Sequence, residues 1–247
     1  MYIDTHCHLS SEDYDDIDLV IKENIDNNVS KIIVSGCDMG SIKEVLILSK
    51  KYPSVYLTLG FHPSEVNNYD LDYLKEVLKE PKVVGLGEIG LDYHYGKEDT
   101  EEQKDLFRKQ LDIAKELNIP VVIHSRDATK DTINILKEYN LKGVIHCFSG
   151  SLETALEYIE MGYLLGIGGV ITFKNSKLYK VVEKVPLENI VLETDSPYLT
   201  PDPYRGKKNS SKYIPIIAKK ISEIKKIDIE KVKEITTSNA SKLFDLR

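Results

Sequence analysis

Side chains able to hold a metal or move a proton gather at the ends of short apolar runs. His6-Cys7-His8 is the sharpest case. Residues i and i+2 of a strand point to one face, so both imidazoles can enter a common site while Cys7 packs on the opposite face. Two neutral imidazoles side by side chelate a divalent ion. Taken alone, the pair also fits ordinary polar residues on an exposed strand. Glu88, within Gly85-Leu86-Gly87-Glu88-Ile89-Gly90-Leu91-Asp92, is a carboxylate in an apolar, glycine-rich run. Buried without a partner it would be costly and would tend to neutralise itself. A nearby cation removes that cost, and its two oxygens can bridge two ions; a salt bridge to lysine or arginine is the plainer alternative. His124 and His146 repeat one arrangement, a lone histidine after an apolar run. Singly each reads as a satisfied core histidine; beside His6, His8 and Glu88 they read as a second set of ligands. Asp195, in Glu193-Thr194-Asp195-Ser196-Pro197, can ligate a metal and accept the proton of an attacking water. Glu193 shares its face one layer deeper and reads as a supporting or buried polar group.

Eight apolar, β-branched runs carry these groups: Tyr2–His8, Lys31–Cys37, Val55–His62, Val83–Leu91, Pro120–Arg126, Gly143–Phe148, Tyr163–Thr172 and Ile190–Ser196. Interiors such as Ile32-Ile33-Val34 suit parallel strands covered on their outer faces. Amphipathic stripes alternate with them: Ile17, Val20, Ile21 and Ile25; Phe107, Leu111, Ala114 and Leu117; Ile214, Ile217, Ala218, Ile221 and Ile224. A last helix near Ile229–Phe244 is expected outside or beneath the strands. Eight βα units in 247 residues predict an α/β fold, a TIM (β/α)8 barrel forming a single domain over 1–247, with a doubly wound open sheet as the alternative. In a barrel the C-terminal strand ends converge on one mouth, which would bring five of the six histidines together.

Composition narrows the function classes. With 41% hydrophobic and 30% charged residues, 9 Pro and 14 Gly, the chain is neither disordered throughout nor collagen-like. The longest largely apolar run, Met161–Phe173, is shorter than the roughly 20 residues of a membrane helix, so no membrane partner is expected. A net charge of −7 argues against coating nucleic acid by bulk electrostatics, but leaves room for one local site. Three widely spaced cysteines without a CxxC pair fit reduced thiols. The N-terminus shows no basic stretch leading into an apolar one, and a cytoplasmic location is expected. No obligate protein partner is inferred.

The segments Asp4-Thr5-His6-Cys7-His8, Gly60-Phe61-His62-Pro63, Gly87-Glu88-Ile89-Gly90-Leu91-Asp92-Tyr93, Ile123-His124-Ser125-Arg126-Asp127-Ala128, Ile145-His146-Cys147-Phe148-Ser149-Gly150 and Leu192-Glu193-Thr194-Asp195-Ser196-Pro197-Tyr198-Leu199 resemble the TatD family of metal-dependent deoxyribonucleases. The likeness runs to the closing Asn239-Ala240-Ser241-Lys242-Leu243-Phe244. The resemblance implies a barrel of the metallo-dependent hydrolase superfamily and two divalent metal ions, with Mg, Mn and Zn all in play. It places His6, His8, Glu88 and Asp195 around one ion, and Glu88, His124 and His146 around the other. One departure is Arg205-Gly206-Lys207-Lys208-Asn209-Ser210-Ser211, where the family usually has a proline at the last position; this bears on the rigidity of that loop.

Two ions can activate a shared water and clamp the oxygens of a phosphodiester. Asp195 is then the general base, with Glu88 beside it, while His62, Arg126 and Arg205 neutralise phosphate oxygens at the rim. Tyr198, with Phe61, Tyr93, His94, Tyr95 and Tyr204, offers stacking surfaces near Arg205, Lys207, Lys208 and Lys212. The expected substrate is a DNA single strand or strand end, cut as an exodeoxyribonuclease. The alternatives are an amidohydrolase or phosphotriesterase-like enzyme on small molecules, a D-aminoacyl-tRNA deacylase, and a non-catalytic binding barrel. Relatives of the phosphotriesterase kind often bridge their metals with a modified lysine after the fourth strand, where this chain offers Glu88.

Overall fold

The computed structural model describes residues 1–96 and 98–246; Lys97 and Arg247, the last residue of the expected 1–247 domain, lie outside the described residues. Strands and helices alternate along the chain: β1 (Tyr2–Cys7), α1 (Ile17–Asp26), β2 (Val29–Gly36), α2 (Met39–Lys51), β3 (Val55–Leu59), α3 (Leu71–Val77), β4 (Val83–Asp92) and α4 (Thr100–Leu117). The second half continues with β5 (Val121–Arg126), α5 (Thr129–Leu136), β6 (Gly143–Ile145), α6 (Leu152–Glu160), β7 (Tyr163–Ile167), α7 (Leu178–Lys184), β8 (Ile190–Leu192), α8 (Ile214–Lys225) and α9 (Ile229–Leu243). The strands pair in parallel in the order β1 to β8. Beyond the ladder, His6 O accepts from Asp195 N at 3.0 Å, and His8 N donates to Ser196 O at 2.7 Å. The buried Thr5 hydroxyl donates to Leu192 O at 3.0 Å. These bonds join the two edges, so the sheet curls into a nearly closed TIM barrel, as the βα alternation predicts, and not into an open doubly wound sheet.

Outward-facing strand residues such as Ile32, Val34, Val121, Ile123, Ile145 and Leu192 pack in the main core with the inner faces of the helices, including Phe107, Leu111 and Ile217. On α1 the predicted stripe holds at Ile21, which is buried, whereas Ile25 is 56% exposed. A separate core unites Ile3, Ile33, Val122, Val144 and Val191 with Ala240 and Phe244 of the α9 region. The last helix therefore lies beneath the barrel and stops its lower end.

Register steps fall in β1, β2 and β4: Tyr2 and Ile3 pair with Val29 and Lys31, Leu57 and Thr58 pair with Val83 and Gly85, and two further steps lie nearer the site. Between β1 and β2, Asp4 pairs with Ile32 and Cys7 with Val34, an advance of three residues against two. Between β4 and β5, Leu86 pairs with Val121 and Ile89 with Ile123, again three against two. An extra residue of this kind re-aims the side chains that follow it. Leu86 and Ile89 both belong to the outer core, which leaves Glu88 free to face inward. Gly87 makes the irregularity possible, because a Cβ there would lie 2.6 Å from Val122 Cβ and 2.8 Å from Val122 O.

Four expected strands end three or more residues early, and β1 and β2 end one residue short of His8 and Cys37. β3 stops at Leu59, β6 at Ile145, β7 at Ile167 and β8 at Leu192, short of His62, Phe148, Thr172 and Ser196. The chain leaves the ladder to carry polar groups over the mouth: Cys147 and Asp195 adopt left-handed φ values of 47° and 54°, and Gly169–Thr172 forms a 3-10 turn. Among the described residues no helix is long and apolar enough to cross a membrane.

Candidate metal centre

Glu88 lies at the middle of the cluster, and its two oxygens face different neighbours. Oε2 is 3.4 Å from His6 Nε2 and 3.6 Å from His8 Nε2. Both imidazole nitrogens also stand 3.6 Å from Asp195 Oδ1. Oε1 instead meets His124 Nδ1 at 2.6 Å and His146 Nε2 at 2.8 Å. The structure thus gathers His6, His8, Glu88, His124, His146 and Asp195 at one end of the barrel. Two donors each about 2.1 Å from one tetrahedral ion are roughly 3.4 Å apart, so the His6, His8, Glu88 and Asp195 spacings suit a shared cation. His6 supplies a sharper test: its side chain is fully buried, and among the described residues neither ring nitrogen has a hydrogen-bond partner. A buried imidazole aimed at two carboxylates without a hydrogen bond fits a metal ligand.

The electrostatics follow from the crowding. Burial opposes charge on Glu88, yet His146, His124 and His6 outweigh it and hold the carboxyl well below its ordinary range. Asp195 is likewise held down, burial being outweighed by its bond to His8 and by His146 and His6. Burial lowers His146, but Glu88 beside it prevails and pushes the imidazole up to about 9. His6, more deeply buried and facing His146, falls to about 4. The two carboxyls at the centre are thus both held in the ionised form that suits a cation.

Supporting groups surround the donors. Asp92 Oδ2 is 3.1 Å from His124 Nε2, which fixes the ring so that Nδ1 faces Glu88. Asp92 has no assigned role in the sequence pattern; the signal for it is a second carboxylate four residues after Glu88. Glu193 is fully buried, accepts from Cys147 N at 2.5 Å and stands 3.8 Å from His146 Nδ1, as its supporting reading anticipates. Burial pushes its carboxyl up to about 8. Cys7 faces away from the cluster, its Sγ donating to Ile33 O at 3.5 Å.

The donors open into a cavity of about 740 Å³ lined also by His62, Arg126 and Tyr198. His62 packs its ring 4.6 Å from that of His124, and burial lowers it to about 4. Tyr198 is 60% exposed, its ring 6.4 Å from that of His8. Arg126 lies 5.4 Å over the ring of Tyr95. Arg205 departs from expectation. Its guanidinium donates to Thr200 O at 2.8 Å and sits 3.9 Å over the Phe173 ring, and it does not line the cavity. Lys212 pairs with Glu23 at 2.8 Å, and Lys208 donates to Asp13 O. Among the described lining residues Arg126 alone is a lysine or arginine, alongside Asp38, Glu65 and Asp92. Residues of one loop share sequence proximity but not direction, and Arg205, Lys208 and Lys212 are each engaged with other parts of the chain.

Comparison with known proteins places this centre in a family. The TatD related DNase pattern matches residues 3–245. YabD of Bacillus subtilis, an uncharacterized metal-dependent hydrolase, is 42% identical over 252 residues, covering 99% of each chain. YcfH of Escherichia coli K12, of the same description, is 34% identical over 253 residues, covering 99% of this chain and 96% of its own. The crystal structure of YjjV, a TatD homolog from Escherichia coli K12, superposes with a TM-score of 0.93 at 31% identity, covering 100% of this chain and 98% of its own. The chain belongs to the TatD family of metal-dependent hydrolases.

Proposed function

We propose that the chain hydrolyses phosphodiester bonds at the ends of DNA strands, using water activated by two divalent ions. The observation that carries the reading is the division of Glu88: Oε2 faces His6 and His8, and Oε1 faces His124 and His146. One carboxylate shared by two donor sets would hold two ions close together, an arrangement that suits two-ion hydrolysis. His6, His8, Glu88 and Asp195 would hold one ion, and Glu88, His124 and His146 the other. When bound, such ions lower the pKa of water and offset charge on phosphate oxygens; Mg, Mn and Zn are all compatible with this mixed nitrogen and oxygen set.

The chain's own residues supply the remaining steps. Asp195 Oδ1, beside His6 and His8, takes the proton from the attacking water. Asp92 keeps His124 oriented, and the buried Glu193 lies behind His146. His62 and Arg126 donate to phosphate oxygens, and Tyr198 offers a ring for the terminal base. The cavity, about 740 Å³, falls in the range of small-ligand sites and takes a strand end more readily than a duplex. DNA as substrate rests on the family; the cavity size supports end-directed cutting.

A second reading, hydrolysis of a small-molecule ester or phosphoester, is favoured by the wall's charge, with Arg126 facing Asp38, Glu65 and Asp92. End-labelled single-stranded DNA incubated with Mg, Mn or chelator separates the two. The proposal expects a metal-dependent ladder shortening from one end, absent in His124→Ala. Intact DNA in the presence of metal-loaded protein would overturn it in favour of the small ester.

A further inference from the structure

Cys37 lies outside the donor sets above, yet its sulfur reaches the same oxygen. Cys37 Sγ is 3.7 Å from Glu88 Oε2, the atom that also faces His6 Nε2 at 3.4 Å and His8 Nε2 at 3.6 Å. Donor atoms of His8, Cys37 and Glu88 all fall within 4.8 Å of one another. For a metal–sulfur bond of about 2.3 Å and a metal–oxygen bond of about 2.1 Å, the two donors stand roughly 3.6 to 3.8 Å apart at tetrahedral to trigonal angles. The observed sulfur-to-oxygen separation lies inside that interval. The fully buried, unpartnered Nε2 of His6 aims at the same centre and is an independent mark of a ligand there.

The backbone holds the sulfur in place. Cys37 follows the end of β2 at Gly36; its N–H donates to Ser41 Oγ at 2.9 Å, and its carbonyl accepts from His62 N at 3.0 Å. A thiol anchored on both sides is presented to the centre without a large loss of conformational freedom. Thiolate favours zinc and cobalt over magnesium, whereas the imidazole and carboxylate donors alone discriminate less.

We infer that Cys37 is a further ligand, through sulfur, of the ion held by His6, His8, Glu88 and Asp195, and that it biases this position toward soft divalent metals. The inference rests on the metal-ion reading of the site. As the metal–sulfur bond forms, the thiol proton passes to solvent. Loss of even an outer partner of a metal ligand costs about 10–100-fold in affinity, so removal of Cys37 should cut the preference for zinc over magnesium by at least about tenfold.

Cobalt substitution tests this without reference to turnover. The protein loaded with Co(II) is expected to show visible ligand-field bands together with a near-ultraviolet sulfur-to-cobalt charge-transfer band. The latter should vanish in Cys37→Ser and persist in Cys147→Ser. Ligand-field bands without the charge-transfer band, or a charge-transfer band that survives Cys37→Ser, would overturn the role of Cys37 while leaving the metal centre standing. Failure of cobalt to bind at all, by elemental analysis, would overturn both.

Discussion

The donor groups come from two kinds of strand. β5 and β6 pair without a register step, Val121 with Gly143 through Ile123 with Ile145, and their histidines, His124 and His146, follow the alternation set by Val122 and Val144. β1 and β4 each insert a residue; His6 lies on β1 with His8 directly after it, and Glu88 lies on β4. Alternation by itself sets His6 and His8 on one face, two residues apart with Cys7 on the other; what the step in β4 adds is the aim of Glu88, between outward-facing Leu86 and Ile89. The regular half of the site is inherited from the barrel, whereas the irregular half is specific to the chemistry.

The largest effect should come from Glu88, where the two halves meet. Glu88→Gln keeps the volume but removes the charge that faces four histidine nitrogens. We expect activity to fall by about 10³-fold or more and bound metal to drop in elemental analysis. Retention of both ions in this variant would mean that the halves act separately.

Next in size is a direct trial of the irregular strand against the regular one. Gly87→Ala drives a Cβ into Val122, and overpacking of this kind costs about 1–3 kcal/mol. Its cost should appear both as a lower Tm and as lost activity, because the same step aims Glu88. Ile123→Val, on β5 and fully buried, should cost about 0.5–1.5 kcal/mol of stability with activity retained. Equal losses of activity in the two variants would erase the distinction between the strands.

These contrasts mark what the sequence made legible. The eight strands and the helical stripes were readable because burial on both faces writes near-continuous apolar runs into parallel strands. The ligand candidates were readable because histidines and carboxylates stand out at the ends of such runs. The register steps were not, since nothing in apolar patterning marks an inserted residue. Gly85, Gly87 and Gly90 are the faint trace of the two in β4. Strand ends were overextended for a related reason: the left-handed turns at Cys147 and Asp195 fall on residues that carry no glycine signal. Side-chain direction in the last loop was also hidden, so Arg205 was expected at the cavity and found over Phe173. Asp92 and Cys37 act through neighbours distant in sequence, and only the folded chain pairs them.

The smallest expected effect concerns the buried support behind the regular half. Glu193 has its carboxyl pushed by burial up to about 8, from the 4.5 ordinary for a glutamate. A carboxyl whose pKa is raised on folding contributes its stability fully below about 4.5 and loses it as pH climbs to about 8. In chelator, the Tm of the native sequence should therefore decline across that interval more than that of Glu193→Gln, whose neutral amide does not titrate. Parallel pH profiles for the two chains in thermal unfolding would remove Glu193 as the source of the decline.

Phe244 and Ala240, packed against Ile3, Ile33, Val122, Val144 and Val191, bear on traffic through the barrel. With its floor stopped by the last helix, the chamber is a cul-de-sac. Under the proposed cutting of strand ends, a polymer end admitted at the mouth would have nowhere to advance, and each severed piece would have to back out by the way it came before the next bond could be brought into place.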